Sequence, residues 1–419
     1  MFAREMLGNL PEKFIVPARG MNHETKPAQP FASSEQLDLT IVMPCLNEAE
    51  TIGQCIKKGL SSIADLGLRG EVLIADNGSS DGSIEIAKSL GARVVSISRK
   101  GYGNALRGGV EAARGRWIVM GDSDDSYDFS SLGPFIEKFR QGFELVMGCR
   151  MPYGGGTIMP GAMPWKHRWI GNPALSFIGR LFFKCPVTDF HCGLRGVARE
   201  SFAKMQLKTT GMEFASEMVI KSTLRGLRIA QVPITLHKDG RSRPPHLRSW
   251  RDGWRHLRFM LLFSPRWLFV WPGIFLLLVG LCLFVPLSIS PVQIGQVQFN
   301  TNTLLVAGMM VIVGFQVLFF GVFTKLYCVA RGLLPESQQF SSLIKFYSLE
   351  RGLVAGLLVF VIGLSFLGAA VWKWKAAGFG HLDYGESLRL VIPAVTCLTL
   401  SIQAVFSSFF LSILELKHD

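Results

Sequence analysis

A short apolar segment of this chain ends on two carboxylates, Asp122 and Asp124, that are separated by one residue. The segment, residues 117–120, has the composition of a buried strand, so the pair is expected at the polar end of that strand. Two carboxylates there suit a hard divalent cation, because Mg²⁺ prefers oxygen ligands and keeps coordination positions open for a substrate's phosphates. The same pattern is also typical of a solvated acidic turn after a strand. A motif this short often occurs by accident, so it does not by itself establish a metal site. The surrounding sequence decides between these interpretations.

The elements that must position this pair alternate between strands and helices. Strands are predicted at 39–43, 71–75, 93–97, 117–120 and 143–147, and helices at 48–63, 81–90 and 104–114. This alternation predicts an α/β sheet, in which ligands bind beyond the carboxyl ends of the strands. Polar clusters follow the first, second and fourth strands, at residues 44–48, 76–83 and 122–125.

The second part of the chain has a different composition. Four segments meet the length of roughly 20 apolar residues that a membrane-spanning helix needs: they are 267–289, 303–330, 352–372 and 388–413. The predicted organisation has four parts: a flexible N-terminal tail at 1–36, the α/β domain at 37–245, an amphipathic helix at 246–265 and a four-helix transmembrane domain at 266–419. The tail contains no continuous apolar core of the kind that a secretory signal has.

Charge distribution predicts the orientation of the spans. Four arginines lie between residues 251 and 266, before the first span, and Arg331, Lys345 and Arg351 lie between the second and third. Residues 290–302 carry no charge. Because short cytoplasmic loops carry the excess of Lys and Arg, the α/β domain and the C-terminus are both expected in the cytoplasm.

The predicted amphipathic helix places two stripes side by side. Its apolar stripe comprises Leu247, Trp250, Trp254, Leu257 and Leu261, and its basic stripe comprises Arg248, Arg251, Arg255 and Arg258. Such a helix lies in the plane of the lipid headgroups. Arg241 and Arg243, just upstream of it, are expected to add phosphate contacts. Nucleic-acid binding is the other interpretation of the net charge of +13, but a basic stripe beside four spans is better explained by anionic lipid. The eight cysteines lack metal-ligand spacing, so neither a zinc site nor a disulfide framework is expected.

The polar clusters resemble those of family 2 glycosyltransferases with the GT-A fold, a Rossmann-like nucleotide-diphospho-sugar transferase domain. That resemblance implies nucleotide contacts at Pro44, Asn47, Glu48 and Asp76, and an Mg²⁺ or Mn²⁺ site at Asp122 and Asp124, where Asp122 also belongs to the nucleotide-binding set. The stretch that begins with Lys100 resembles the family segment that lines the nucleotide site, so Lys100 is a weaker contact. Asp81 is open between a ligand contact and a helix cap.

A narrower resemblance, to polyprenyl-phosphate (dolichyl-phosphate) sugar synthases, lies between Met147 and Arg195. It implies that Arg150 and Arg168 hold an acceptor phosphate, a role that suits the planar guanidinium. The same resemblance adds Asn172 and Asp189 to the catalytic set, and Asp189 is expected to position the sugar or the acceptor. A lipid phosphate is largely dianionic at neutral pH, since its second pKa is near 6, so it has little need of a general base.

The resemblance implies an inverting transfer of one hexose from a UDP- or GDP-sugar to polyprenyl phosphate. One departure weakens the metal-site pattern, since Ser126 replaces the usual third metal contact. A processive polymerase is disfavoured, because Phe263 stands where processive synthases carry a Gln before Arg266 and Trp267. Two alternatives stay open, an alcohol-bearing lipid acceptor and a non-catalytic membrane scaffold that retains the fold. The sequence also leaves the sugar, the base and a homo-oligomer open.

Overall fold

The computed structural model describes residues 37–242 and 249–415. Contacts divide the chain into two compact units, with the boundary between Met260 and Leu261. The tail predicted at 1–36 lies outside the described residues, as do Arg243 and residues 246–248 of the predicted amphipathic helix. Each unit is considered by itself.

The first unit is built on one sheet of seven strands. These strands are β1 (Leu37–Cys45), β2 (Gly70–Asp76), β3 (Arg93–Ser96), β4 (Gly115–Met120), β5 (Leu145–Cys149), β7 (Arg195–Ala198) and β8 (Ile229–Pro233). A separate two-stranded sheet pairs β6 (Thr157–Ile158) with β9 (Thr235–Leu236). The order in the large sheet is β3-β2-β1-β4-β7-β5-β8. The five predicted strands are all present, whereas β7 and β8 were not predicted.

Helices cover the sheet and connect its strands. In the first unit they are α1 (Ile52–Asp65), α2 (Ser83–Ser89), α3 (Tyr102–Ala112), α4 (Gly133–Arg140), α5 (Asn172–Phe183), α6 (Arg199–Met205), α7 (Phe214–Leu224) and most of α8 (Ser249–Leu262). A π-helical turn, His167–Gly171, precedes α5. The sheet's residues are apolar on both faces because helices cover both of them; Leu39, Ile41 and Val42 of β1 are all fully buried.

One strand runs against the others, and this reversal brings distant loops together. β1, β2, β3 and β4 are parallel, but β7 is antiparallel to both β4 and β5. Arg195, the first residue of β7, therefore pairs with Met120 near the end of β4 and with Met147 near the end of β5. The loop before β7 consequently enters the sheet at the edge where β4 and β5 end. The polar residues that follow β1, β2, β4 and β5 lie along this same edge.

The second unit contains the long apolar helices. They are α9 (Trp271–Ile289), α10 (Thr301–Ala330), α12 (Leu349–Ala376) and α13 (Tyr384–Glu415), with a short α11 (Gln338–Phe346) between the second and third. Among the described residues, four helical segments are long and apolar enough to cross a membrane: Arg266–Ile289, Thr301–Ala330, Leu349–Ala376 and Tyr384–Leu414. They correspond to the four predicted spans. A small hairpin, β10 (Val292–Ile294) with β11 (Val297–Phe299), occupies the charge-free connection between α9 and α10.

Small residues allow these helices to approach closely. A Cβ added to Gly314 of α10 would lie 2.6 Å from the Leu277 nitrogen of α9, and one added to Gly280 would lie 2.9 Å from the Val311 nitrogen. α12 and α13 meet in the same way at Gly356 and Gly363. Close backbone approach at small residues is how helices gain packing energy in lipid, where the hydrophobic effect does not drive them together.

Candidate active site

Hydrogen bonds join the loops after β1 and β2 into one surface. Asn47 adopts a left-handed backbone with φ of 59°. Its side-chain Oδ1 accepts the Ser80 N–H at 2.8 Å, and its own N–H donates to Ser79 Oγ at 2.9 Å. The side chain of Asp81 accepts the Ala49 N–H at 2.9 Å and the N–H of Ser83, the first residue of α2, at 3.1 Å. Asp81 therefore binds the first turn of α2 from the position before Gly82, the N-cap residue of that helix. A contact of Asp81 with a ligand stays a prediction.

Asp76 and Lys100 both stabilise the second loop. The two carboxylate oxygens of Asp76, which is almost fully buried, accept the N–H groups of Gly78 and Ser79 at 3.0 Å each. Lys100 Nζ donates to the Asn77 carbonyl at 2.6 Å. In this structure the polar atoms of both side chains are used by hydrogen bonds within the loop. The contacts of Asp76 and Lys100 with a nucleotide stay predictions.

The Asp-x-Asp pair lies at the end of β4, as expected. Asp122 Oδ1 accepts the Tyr102 hydroxyl at 2.8 Å, so the first residue of α3 orients this carboxylate. Asp124 Oδ1 accepts both the N–H and the hydroxyl of Ser126, at 3.1 and 2.6 Å. Ser126 stands where the resemblance implies a third metal contact, and here it donates hydrogen bonds to Asp124 itself. Pro44 lies beside the pair, because its carbonyl accepts the Ser123 hydroxyl at 2.7 Å.

Burial and the neighbouring charge of Asp124 raise the pKa of Asp122 to about 6. A divalent cation would reverse this shift, since it favours the ionised carboxylate. Within the described ranges, 37–242 and 249–415, no group of three or more His, Cys, Asp or Glu side chains forms a ready metal site. Two carboxylates nevertheless fit Mg²⁺, which usually takes one or two from the protein and completes its shell with waters and substrate phosphates.

Arg241 occupies the centre of the acidic cluster. Its guanidinium Nη2 lies 2.7 Å from Asp124 Oδ2 and 3.1 Å from Asp239 Oδ2, while Nη1 lies 3.3 Å from Glu48 Oε1. The segment that carries Arg241 is docked on the same edge, since the Gly240 N–H donates to the Asp124 carbonyl at 3.0 Å. The sequence offers Arg241 as an added phosphate contact, but its pairing with Asp124 was not predicted, because nothing local in the sequence connects two residues 117 positions apart.

Arg150, after β5, and Asp189, in the loop before β7, form a buried bidentate pair. Arg150 Nε and Nη2 each lie 2.8 Å from a carboxylate oxygen of Asp189, and the Arg150 N–H donates to the same carboxylate at 3.1 Å. Burial alone would raise the pKa of Asp189, but the charge and hydrogen bonds of Arg150 outweigh burial and hold that pKa below its ordinary value. The third guanidinium nitrogen, Nη1, takes no part in this pair.

Arg168 lies in the π-helical turn that leads into α5. Its Nε is buried without an acceptor in the part of the chain that the structure describes, and its guanidinium is 5.4 Å from the centre of the Trp169 ring. The neighbouring His167 is close enough to Arg150 that burial and the charge of Arg150 lower its pKa. Asn172 begins α5, and its amide contacts Met163 Sδ at 3.4 Å. The turn and Arg150 therefore belong to one region of the domain.

The segment between Arg150 and Asp189 has an unusual surface. Residues 151–188 contain no Asp or Glu, and their cationic side chains are Lys166, Arg168, Arg180 and Lys184. Large apolar side chains are exposed along the same segment: Trp165, Trp169, Ile170, Phe177 and Leu181. Phe177 and Leu181 are four residues apart on α5 and share one face. An exposed aromatic surface that carries only positive charge is typical of a membrane interface.

Comparisons with known proteins agree with this arrangement. The model described as "Glycosyl transferase family 2" matches residues 40–205, and "Glycosyltransferase family 2 C-terminal transmembrane region" matches residues 322–415. The low-salt glycan biosynthesis hexosyltransferase Agl6 of Haloferax volcanii is 38% identical over 89% of this chain and 88% of its own length. The chain belongs to glycosyltransferase family 2. It is an enzyme with a GT-A domain, and it is a multi-pass membrane protein.

One further relative and one solved structure with a similar fold cover less of this glycosyltransferase. The dolichyl-phosphate hexose transferase of Haloferax volcanii is 33% identical over 47% of this chain and 82% of its own length. Among solved structures, glucosyl-3-phosphoglycerate synthase from Mycobacterium tuberculosis in complex with Mn²⁺ and UDP is 24% identical over 54% of this chain and 78% of its own, with a TM-score of 0.40.

The glycosyltransferase fold brings together most residues that the sequence singled out. Pro44, Asn47 and Glu48 follow β1 and Asp76 ends β2, while Asp189, with Arg150 paired to it, lies in the loop before β7. Gly193 of that loop has no room for a side chain, because a Cβ there would lie 2.7 Å from Asp122 Oδ2. Sequence reasoning gave Tyr102 no role, although its position between two glycines, in the stretch that begins with Lys100, was an available signal.

Proposed function

We propose that this glycosyltransferase moves one hexose from a UDP- or GDP-sugar to a polyprenyl phosphate at the cytoplasmic face of the membrane. The observation that carries the proposal is the acid-free, aromatic surface of residues 151–188, which begins beside Arg150 and ends beside Asp189. A substrate that approaches this surface is expected to be membrane-borne and anionic. The 33% identical dolichyl-phosphate hexose transferase supports the same acceptor class.

Arginine geometry supports a phosphate acceptor. The buried Nε of Arg168 lacks an acceptor among the described residues, and an unsatisfied buried donor costs about 1–3 kcal/mol. A phosphate oxygen would satisfy it with a charge-assisted hydrogen bond. Arg150 is held in place by Asp189 through Nε and Nη2, which leaves Nη1 to meet the acceptor. In this proposal Asp189 positions Arg150 and the acceptor.

The environment of Asp189 also argues against an alcohol acceptor, which would need a general base. A base must be able to take a proton near neutral pH. Asp189 is fully buried, it receives three hydrogen bonds from Arg150, and its pKa lies below the ordinary value. A lipid phosphate needs no such base, because it is largely dianionic at pH 7. We propose direct attack of its oxygen on the anomeric carbon, with inversion.

At the donor edge, Asp122 and Asp124 would hold Mg²⁺ or Mn²⁺, and Pro44, Asn47, Glu48, Asp76 and Lys100 would contact the nucleotide. The cation would neutralise charge that develops on the leaving nucleotide diphosphate. Arg241 is expected to exchange Asp124 and Glu48 for a diphosphate oxygen when the donor binds, because its guanidinium already lies between those two carboxylates.

The deciding experiment measures transfer of radiolabelled sugar into organic-extractable lipid. The full-length protein in detergent receives Mg²⁺ or Mn²⁺, polyprenyl phosphate, and either UDP-glucose or GDP-mannose. Acid-labile labelled lipid is expected with one donor, and Arg168→Ala is expected to lose it by about 100-fold, as for an arginine that binds a charged group. Arg199→Ala serves as the matched control, because Arg199 is exposed at the start of α6.

Two results would contradict this proposal. Equal transfer to a neutral polyprenol or a glycerolipid would establish the alcohol acceptor. Absence of transfer from a wider panel of donors, together with no binding of any nucleotide sugar in the presence of metal, would favour the non-catalytic scaffold.

A further inference from the structure

A buried carboxylate on α7 is connected to the Asp-x-Asp pair through an exposed loop. Glu217 is 1% exposed and lies 2.7 Å from Lys221 Nζ, one helical turn further along α7. Its oxygens also accept the N–H groups of Lys208 and Thr209, at 3.0 and 2.8 Å, and the Thr209 hydroxyl at 2.6 Å. One carboxylate therefore holds two consecutive residues of a loop that follows α6.

Lys221 strengthens the same attachment. Its Nζ donates to the Gln206 carbonyl at 2.6 Å, so both members of the ion pair bind the loop between α6 and α7. A buried ion pair gains most when further hydrogen bonds satisfy its remaining donors and acceptors. Here those further bonds all go to residues 206–209.

This loop in turn holds the segment that lines the donor site. The Gly103 N–H at the start of α3 donates to the Thr210 carbonyl at 3.0 Å. The two glycines that flank Tyr102 have no room for a side chain. A Cβ on Gly101 would collide with the Thr210 carbonyl, and one on Gly103 would lie 2.8 Å from the Thr209 carbonyl. The backbone on both sides of Tyr102 is therefore fixed by the loop that Glu217 holds.

Tyr102 completes the connection, since its hydroxyl donates to Asp122 Oδ1 at 2.8 Å. We propose that Glu217 is a positioning residue of the donor site: through the loop at 208–211 it fixes Tyr102, which holds Asp122 in the orientation that binds the divalent cation. This inference rests on the proposed function, in which Asp122 and Asp124 ligate that cation. Outer-shell partners of a metal ligand are known to change metal affinity by about 10–100-fold.

The test measures Mn²⁺ affinity from the electron paramagnetic resonance signal of free Mn²⁺, with full-length protein in detergent and no sugar donor. Tyr102→Phe is expected to weaken Mn²⁺ binding about tenfold and Glu217→Gln about fivefold. Because Glu217 acts through Tyr102, the Mn²⁺ affinity of the double variant should equal that of Tyr102→Phe to within about twofold. A purely structural role of Glu217 would instead make the two effects additive.

Glu144→Gln is the matched control. Glu144 accepts hydrogen bonds from the Ser201 hydroxyl at 2.8 Å and the Arg228 N–H at 3.0 Å. Its substitution should lower stability and leave Mn²⁺ affinity unchanged. If Glu217→Gln fails to fold, Thr209→Val removes one of the bonds to Glu217 and should shift Mn²⁺ affinity in the same direction by a smaller factor.

Asp124→Ala separates the two proposals. If this variant binds Mn²⁺ as the wild type does, the metal site of the proposed function is wrong and the positioning role falls with it. If Asp124→Ala loses Mn²⁺ binding while Glu217→Gln keeps it, or while Glu217→Gln and Tyr102→Phe act additively, the positioning role alone is wrong.

Discussion

Arg241 Nη2 lies 2.7 Å from Asp124 Oδ2, so an arginine of the segment after β9 neutralises the second carboxylate of the Asp-x-Asp pair. Both side chains are largely buried, at 11% exposure each. The ion pair occupies one of the two oxygens that a divalent cation would need. The other oxygen, Oδ1, is already bound by Ser126. A cation at Asp124 must therefore compete with Arg241.

The first prediction follows from this competition. In Arg241→Met, Mn²⁺ alone should bind about fivefold more tightly, because an ion pair of about 1 kcal/mol no longer opposes it. UDP or GDP in the presence of Mn²⁺ should bind more weakly, since the guanidinium that would meet the diphosphate is lost. Titration calorimetry with metal alone and then with nucleotide measures both effects.

A comparable arginine away from the site provides the control for this prediction. Arg93 Nε lies 2.7 Å from Glu71 Oε2, and Arg93→Met should lower stability without changing either affinity. An Arg241→Met protein that binds metal and nucleotide as the wild type does would show that the ion pair is unrelated to donor binding.

The second prediction concerns the pH dependence of transfer. If the acceptor is a lipid phosphate, kcat/KM should fall below about pH 6 as the acceptor takes up its second proton. A phosphonate analogue with a higher second pKa should move the midpoint upward. A midpoint that stays in place would mean that the titrating group belongs to the protein.

The Asp189→Asn variant cannot replace this pH experiment. It would leave the buried charge of Arg150 unpaired, at a cost in stability of about 3–5 kcal/mol.

The third prediction concerns the pH dependence of stability. Burial lowers the pKa of His256 to about 4. The charge of Asp252 acts in the opposite direction and raises this pKa, while the charge of Arg195 lowers it further. Its ring is 4.4 Å from that of His191, whose pKa burial holds well below the ordinary value, and Ser216 Oγ lies 2.8 Å from His256 Nδ1. The unfolded chain thus binds more protons than the folded chain between about pH 4 and 6.5.

Stability should therefore fall as pH falls through that window, by about 2 kcal/mol from His256 between pH 6.5 and 5. The measurement is unfolding followed by tryptophan fluorescence at pH 7 and pH 5, in the wild type and in His256→Gln. Other buried groups add slopes of their own, so the readout is the difference between the two proteins. An identical slope in His256→Gln would contradict the assignment.

The fourth prediction concerns orientation. In a background that lacks the exposed Cys282, a cysteine at Gln298 in β11 should react with a membrane-impermeant maleimide on intact cells. A cysteine at Ser342 in α11 should react only after the membrane is opened. Both positions are exposed, so accessibility within the protein does not distinguish them. The reverse pattern would place the catalytic domain outside the cytoplasm.

Much of the fold was evident from local pattern. Strands β1 to β5 and the four long helices were predicted because buried strands and spanning helices each require their own run of apolar residues, which a short window of sequence contains. The α8 helix was predicted with its tryptophans on one stripe, and Trp250 and Trp254 are indeed exposed. The face formed by Asp252 and His256, buried in the structure, was not predicted, since charged residues are rarely expected in contact with a domain.

By itself, the sequence determined that a carboxylate pair follows a buried strand, that an aromatic and basic segment contains no acid, and that four spans follow the α/β domain. Each of these depends on residues that are neighbours in the chain. Only the tertiary structure decided which partners the functional side chains have. The reversal of β7 brings Asp189 to Arg150, 39 positions away, and the return of the chain after β9 brings Arg241 to Asp124, 117 positions away. Such pairings depend on strand order and direction, which local hydrophobic periodicity does not encode.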